Sequence, residues 1–380
     1  MKIHSKISDV GTSIFTVMSK MALDYGAINL SQGFPDFMID EQLIDLVTRF
    51  MKEGHNQYAP MPGTPALRKS IAEVVKSSFN REVNWETEIT ISSGATESIY
   101  AIISAFVAPG DEVIIFDPSY DSYNPSVRLN GGIPVHINLN NKDYGVDWQH
   151  VKSKIGTSTR MIIINTPHNP SGAILRDSDL RELEKIAVEH DLLVLSDEVY
   201  ERLIYDGAVH QSVLRYPALA DRSLAVFSFG KTFHATGWKV GYTVANEALT
   251  AEIRRAHQFV VFSVNTPVQL ALAEYLKDPV HYLSLRDFYQ KKRDFFLSQI
   301  KGCSFDPIVS HGSYFQLLSY KAISNKPDVQ MAEEMTKNLK VASIPVSVFY
   351  QDKTDNRILR FCFAKKQETM EKACAILRTL

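Results

Sequence analysis

Cysteine is scarce: Cys303, Cys362 and Cys374 are the only three in 380 residues, too few and too late in the chain for a disulfide framework. They read as reduced, structural thiols. No Cys-x-x-Cys or His-x-x-x-His spacing offers a ligand set, so no metal is expected. Charge of one sign is lacking too. The 41 Lys and Arg against 43 Asp and Glu leave a net charge of -2, and no stretch interleaves clustered basic residues with aromatics. Nucleic acid is not an expected partner. No apolar run is long enough to span a bilayer, and Met1-Lys-Ile-His-Ser-Lys-Ile-Ser-Asp-Val10 has no apolar core of signal-peptide length. No membrane partner is expected, and a cytoplasmic location is. Repeats, low-complexity tracts and flexible linkers are also missing.

What is present is length and alternation. The chain can fill two compact lobes. Short β-branched runs at Glu88 to Ser92, Glu112 to Asp117, Met161 to Asn165, Leu192 to Asp197 and Leu224 to Phe229 read as buried strands. Between them, Ile99, Ile102, Ile103, Phe106 and Val107 recur at helical spacing, as do Leu180, Leu183, Ile186 and Ala187. Strand alternating with helix predicts an α/β fold whose mostly parallel central sheet is sandwiched by helices, with ligands beyond the carboxyl ends of the strands. After about residue 275 the pattern changes to a smaller α+β lobe, with a strand at Ser313 to Leu318, a helix near Asp328 to Leu339, a strand at Ile358 to Ala364 and a last helix. The N-terminal segment, with a helix near Ser13 to Leu23, is expected to pack on it. The expected division is a large domain over 46–275 and a small domain formed by 1–45 and 276–380.

Polar residues follow the predicted strands directly. Lys231 lies in Ser228-Phe-Gly-Lys-Thr-Phe-His-Ala-Thr-Gly-Trp-Lys-Val-Gly-Tyr242, with a second cation, Lys239, beyond it. A P-loop reading of Gly230-Lys231-Thr232 fails, because its opening glycine would fall at 225, where the chain has Ala225. A lysine destabilised by burial or by a nearby cation is a nucleophile that forms Schiff bases with aldehydes, pyridoxal phosphate among them. The alternative is a solvated loop lysine, and only a supporting set elsewhere can decide between the two.

Such a cofactor needs an acid partner for its ring nitrogen, donors for its phenolic oxygen, a phosphate cradle and a flat neighbour. Asp197, ending Leu192-Leu-Val-Leu-Ser196, suits the nitrogen. Asn169 and Tyr200 can donate to the oxygen, against the ordinary readings of turn asparagine and core tyrosine. Gly94-Ala95-Thr96 lies between a strand and an amphipathic helix, where amides and the helix dipole favour phosphate; Ser228 and Lys239 would add a hydroxyl and a charge. Tyr120 can stack. Arg360, alternating with Leu359 and Phe361 across a strand, can fork onto a carboxylate or form a structural ion pair.

Together with Asn29-Leu-Ser-Gln-Gly-Phe-Pro-Asp-Phe37 and Asn56-Gln-Tyr-Ala-Pro60, these motifs, in this order, resemble the fold type I, class I/II pyridoxal-phosphate aminotransferases over nearly the whole chain. Ala235-Thr-Gly-Trp-Lys-Val-Gly241 and Ile344-Pro-Val-Ser-Val-Phe349 are most similar to the methionine aminotransferase branch, with kynurenine aminotransferase and glutamine transaminase K beside it. The resemblance implies pyridoxal 5'-phosphate on Lys231, with Asp197, Asn169, Tyr200, Tyr120, Gly94, Ala95, Thr96, Ser228 and Lys239 around it. It implies a homodimer with shared active sites, in which Tyr58 reaches the partner's phosphate and Phe262 the partner's substrate. Arg360, Asn169 and the Gly33 backbone would take the substrate carboxylate.

Ping-pong transfer between an amino acid and a 2-oxo acid follows, with Lys231 as the proton-moving base. The aromatic candidates Phe15, Tyr58, Tyr120, Phe262 and Phe349, without an evident second arginine, suggest methionine or aromatic donors. A C–S β-lyase and a cofactor-binding regulatory module are the competing readings.

Overall fold

The structure, a computed structural model, describes residues 4–380; residues 1–3, which begin the segment read above for a leader, lie outside the described residues. A two-residue strand, β1 (Ile28–Asn29), comes first, and seven strands then build the main sheet: β2 (Ile89–Ser92), β3 (Glu112–Asp117), β4 (Ile133–Asn138), β5 (Thr159–Asn165), β6 (Leu193–Asp197), β7 (Ser223–Ser228) and β8 (Gly241–Val244). Their order across the sheet is β2-β8-β7-β6-β5-β3-β4, and β8 alone runs antiparallel to its neighbours.

The five predicted strands are present, each shifted by no more than one or two residues. Two strands of this sheet, β4 and β8, were not predicted. β4 is an edge strand carrying Pro134, with Ile133 half exposed, so it lacks the continuous apolar signal of a buried strand. β8 begins at Gly241, at the end of the run Ser228 to Tyr242 that was read for its lysines.

The buried strands read as unbroken apolar runs because helices cover both faces. On one face Ile99, Ile102 and Ile103, from the helix Ala95–Phe106, pack on Val113, Ile115, Ile163 and Val226. On the other, Leu180, Leu183 and Ile186, from the helix Asp177–Glu189, share a core with Ile114, Ile162 and Val194. Alternate residues of β3 therefore serve opposite cores, and burying each such side chain is worth roughly 1.5–3 kcal/mol. Val107, expected on the helical face, instead ends the helix in an extended conformation while remaining buried.

A second set of strands follows: β9 (Asp306–Ile308), β10 (Phe315–Ser319), β11 (Val341–Ala342), β12 (Ile344–Pro345) and β13 (Ile358–Cys362). Four of them form an antiparallel sheet in the order β12-β13-β10-β9, while β11 pairs in parallel with β1, placing Ile28 opposite Val341. A separate apolar cluster joins Met18 and Leu30 to Leu318, Phe361 and Met370. The helix expected near 328–339 runs from Asp328 to Glu334 and passes into a wider π turn over Met335–Leu339. Among the described residues no helix is long and apolar enough to cross a membrane, and no cluster of three or more His, Cys, Asp or Glu is placed to hold a metal.

Candidate active site

The carboxyl ends of β5, β6 and β7 meet the start of the helix Ala95–Phe106 and strand β13 around a cavity of about 340 Å³. Lys231 enters from the four-residue helix Phe229–Thr232 that follows β7. Its Nζ donates to Tyr314 Oη at 3.0 Å and to the Gly33 carbonyl at 3.4 Å. Burial, with Lys239 and Arg360 nearby, lowers its pKa to about 8, although Cys362 and Asp197 act in the opposite sense. A substantial fraction of the amine is therefore neutral near physiological pH.

Asp197, the last residue of β6, accepts from Tyr123 Oη at 2.6 Å and from the Val199 amide at 3.3 Å. Burial raises its pKa to about 6 despite these bonds and the Lys231 charge. It is a carboxylate short of positive charge. Beside it, Asn165 spans two strand ends: Nδ2 donates to the Asp197 carbonyl at 2.9 Å, and Oδ1 accepts the Asn169 amide at 2.8 Å. Tyr200 is buried edge-on to Tyr314, and burial pushes its phenol above the usual range, so it remains a donor at neutral pH.

Arg360 is fully buried on β13. Nη1 donates to Asn169 Oδ1 at 2.7 Å and Nη2 to the Ser31 carbonyl at 2.8 Å. Among the described residues Nε has no partner, and the acceptors of Nη1 and Nη2 are an amide and a backbone carbonyl, with the Asp121 charge acting only from farther off. The guanidinium is therefore not held by a direct ion pair. Phe315 lies 3.9 Å from the guanidinium carbon, with Phe15 at 5.1 Å and Phe349 at 5.4 Å, and burial lowers the Arg360 pKa to about 10. The Phe349 carbonyl is fixed by the Ser119 amide at 2.8 Å.

Opposite these groups, Gly94 at φ 77° opens the helix Ala95–Phe106 with no side-chain cap, leaving the first amides free for an anion. Lys239, itself left-handed at φ 51°, reaches over this turn: a Cβ on Gly94 would stand 3.3 Å from Lys239 Nζ. Ala95, Thr96, Tyr120 and Ser228 line the same cavity, as do Phe15 and Gly33. Tyr58 and Phe262 do not. They lie on the surface, 82% and 51% exposed, in a T-shaped pair with ring centroids 5.5 Å apart.

Sequence reasoning missed Asn165, Tyr123 and Tyr314. Asn165 ends a predicted strand, four residues before Asn169. Tyr123 and Tyr314 carry no local signal, since what matters is the hydroxyl each brings to Asp197 or Lys231 from another element.

A model of the aminotransferases of class I and II matches residues 25–377. The chain belongs to that family. Its fold is the pyridoxal-phosphate-dependent type I fold, and it is an enzyme that transfers amino groups by a ping-pong mechanism through a lysine Schiff base. This aminotransferase is 45% identical over 378 residues to the methionine aminotransferase of Escherichia coli strain K12, covering 99% of this chain and 98% of that protein. The crystal structure of YbdL from Escherichia coli, for which a methionine aminotransferase function was identified, superposes with a TM-score of 0.98 over all of both chains, at 45% identity. The rat kynurenine–oxoglutarate transaminase 3 is 33% identical, over 98% of this chain and 89% of that protein.

Proposed function

We propose that this aminotransferase takes methionine and aromatic amino acids as donors, using pyridoxal 5'-phosphate bonded to Lys231. The observation that carries the substrate reading is Arg360: a buried guanidinium with a free Nε, walled by Phe15, Phe315 and Phe349, and the one arginine among the residues lining the cavity. Such a site suits one carboxylate and an apolar side chain. A donor with a second carboxylate would have no cation left for it.

The donor set also suits the cofactor. Asp197 lacks a counter-charge that a protonated ring nitrogen would supply, and the uncapped turn at Gly94 lacks an anion that a phosphate would supply. Bound there, pyridoxal phosphate provides an aldehyde to carry the amino group and a protonated ring that draws electrons from the substrate α-carbon. Gly94, Ala95, Thr96, Ser228 and Lys239 would hold the phosphate, Tyr120 would lie against the ring, and Asn169 and Tyr200 would donate to the phenolic oxygen.

Arg360, Asn169 and the Gly33 backbone would orient the substrate carboxylate. The Lys231 amine, partly neutral and held in the same cavity, would act as the base that takes and gives back the substrate α-proton, so one group would serve both proton transfers. A homodimer completes the reading: Tyr58 of the partner subunit would bind the phosphate and Phe262 of the partner subunit would border the substrate. The exposure of both side chains supports this.

A panel of amino donors against several 2-oxo acids tests the proposal. Methionine and phenylalanine should exceed aspartate in kcat/KM by roughly tenfold or more, the scale set by leaving a carboxylate unpaired in an apolar pocket. Aspartate outcompeting methionine would overturn the pocket assignment.

A further inference from the structure

Glu97 and His257 form a pair that the chemistry above does not use. Their side chains are 8% and 1% exposed, and Glu97 Oε1 lies 2.9 Å from His257 Nδ1. Glu97 belongs to the first turn of the helix Ala95–Phe106, and its Oε2 accepts the Ser93 amide at 3.0 Å, so the carboxylate braces the turn that carries Gly94. His257 Nε2 faces the Met61 carbonyl at 3.2 Å. Both ring nitrogens face oxygens, so the ring bridges the Glu97 carboxyl and the Met61 carbonyl.

Met61 lies three residues from Tyr58, and that segment is stitched to the one carrying Phe262. Ser263 Oγ donates to the Ala59 carbonyl at 3.0 Å, Thr266 Oγ1 to the Gln57 carbonyl at 2.6 Å, and buried Gln269 bonds both the Thr64 amide and the Val264 carbonyl. The His257 carbonyl accepts the Phe262 amide at 3.2 Å. One residue thus touches the phosphate turn, the Tyr58 segment and the Phe262 segment.

We propose that His257 is a positioning residue, which with Glu97 fixes the phosphate-side turn of its own subunit to the Tyr58–Phe262 surface that this subunit offers to the second. Its effect on the partner's site runs through Tyr58. The inference rests on the homodimer reading given above. A buried pair loses most when one member is removed and the other is left uncompensated, so either half can be probed alone.

The test uses the holoenzyme and its variants H257Q, Y58F and H257Q/Y58F, following cofactor release by absorbance after dilution into a scavenger, with sedimentation and melting of each protein alongside. H257Q should release cofactor about tenfold faster, the scale of one lost charge-assisted hydrogen bond. In the double variant the two effects should fall short of multiplying, because both act through the same tyrosine. Multiplying effects, or unchanged release from dimeric H257Q, would overturn the inference and leave the dimer reading standing. A wild-type monomer would overturn the dimer reading itself. If H257Q does not fold, E97Q carries the same comparison.

Discussion

Asp197 sits where a carboxylate is poorly accommodated, and the discomfort is measurable without the cofactor. Its pKa is raised from 3.8 to about 6, chiefly by burial. Between those values the folded protein holds a proton that the unfolded chain has lost, so this group's contribution to stability is present below about pH 4 and is lost as pH rises toward 6. The difference corresponds to roughly 3 kcal/mol above pH 6. Asp197→Asn removes the ionisation while keeping an oxygen for the Tyr123 hydroxyl. The apoprotein of this variant should therefore melt higher than wild type at pH 7 and alike at about pH 4, while binding pyridoxal phosphate weakly and transaminating little. Melting curves at the two pH values, with a cofactor titration, check this. A lower melting temperature at pH 7 would mean that the carboxylate stabilises the empty fold and that burial is not the dominant effect.

Strand β8 carries the site in a different way, by being thin. Gly241 pairs with Ser92 of β2 on one side and Ser228 of β7 on the other, and a Cβ there would stand 2.6 Å from the Phe227 carbonyl and 2.9 Å from the Ala95 amide nitrogen. Both neighbours are backbone, which cannot swing away as a flexible side chain could. Gly241→Ala should push the helix Ala95–Phe106 off the sheet at its phosphate-binding end, at a cost of about 1–3 kcal/mol. Equilibrium titration should show roughly tenfold or greater loss of cofactor affinity, whereas Gly237→Ala, with open space around it, should titrate like wild type. The same strand shows where sequence reading stops. β3, β5 and β6 were legible because burial on both faces demands unbroken branched aliphatics, and Asp197, Asn169 and Lys231 were legible because each follows such a run. β8 was hidden: its first glycine is required by close approach, so its local signal is that of a turn. Tyr314 was hidden for another reason, since its hydroxyl meets Lys231 across 83 residues of sequence, a contact that no local pattern records.

At the scale of the whole molecule, one chain supplies a cavity and, elsewhere on its surface, an aromatic pair that does not enter it. If the sites of a homodimer are shared, mixing Lys231→Ala with Tyr58→Phe subunits should create hybrids with one native site, built from the lysine of one chain and the tyrosine of the other. Cofactor titration of the refolded mixture should then reveal a native-affinity population absent from the Tyr58→Phe parent. A mixture showing only that parent's weakened affinity at functional lysine sites would instead place Tyr58 in its own chain's site. The ladder between Ile28 and Val341 bears on how such subunits come to exist at all. The main sheet is complete once Val244 has been made, but β1 has no strand to pair with until almost a hundred residues later. A ribosome-bound chain must therefore hold its early segment unpaired until Val341 has been made, so this ladder is among the last contacts that synthesis allows.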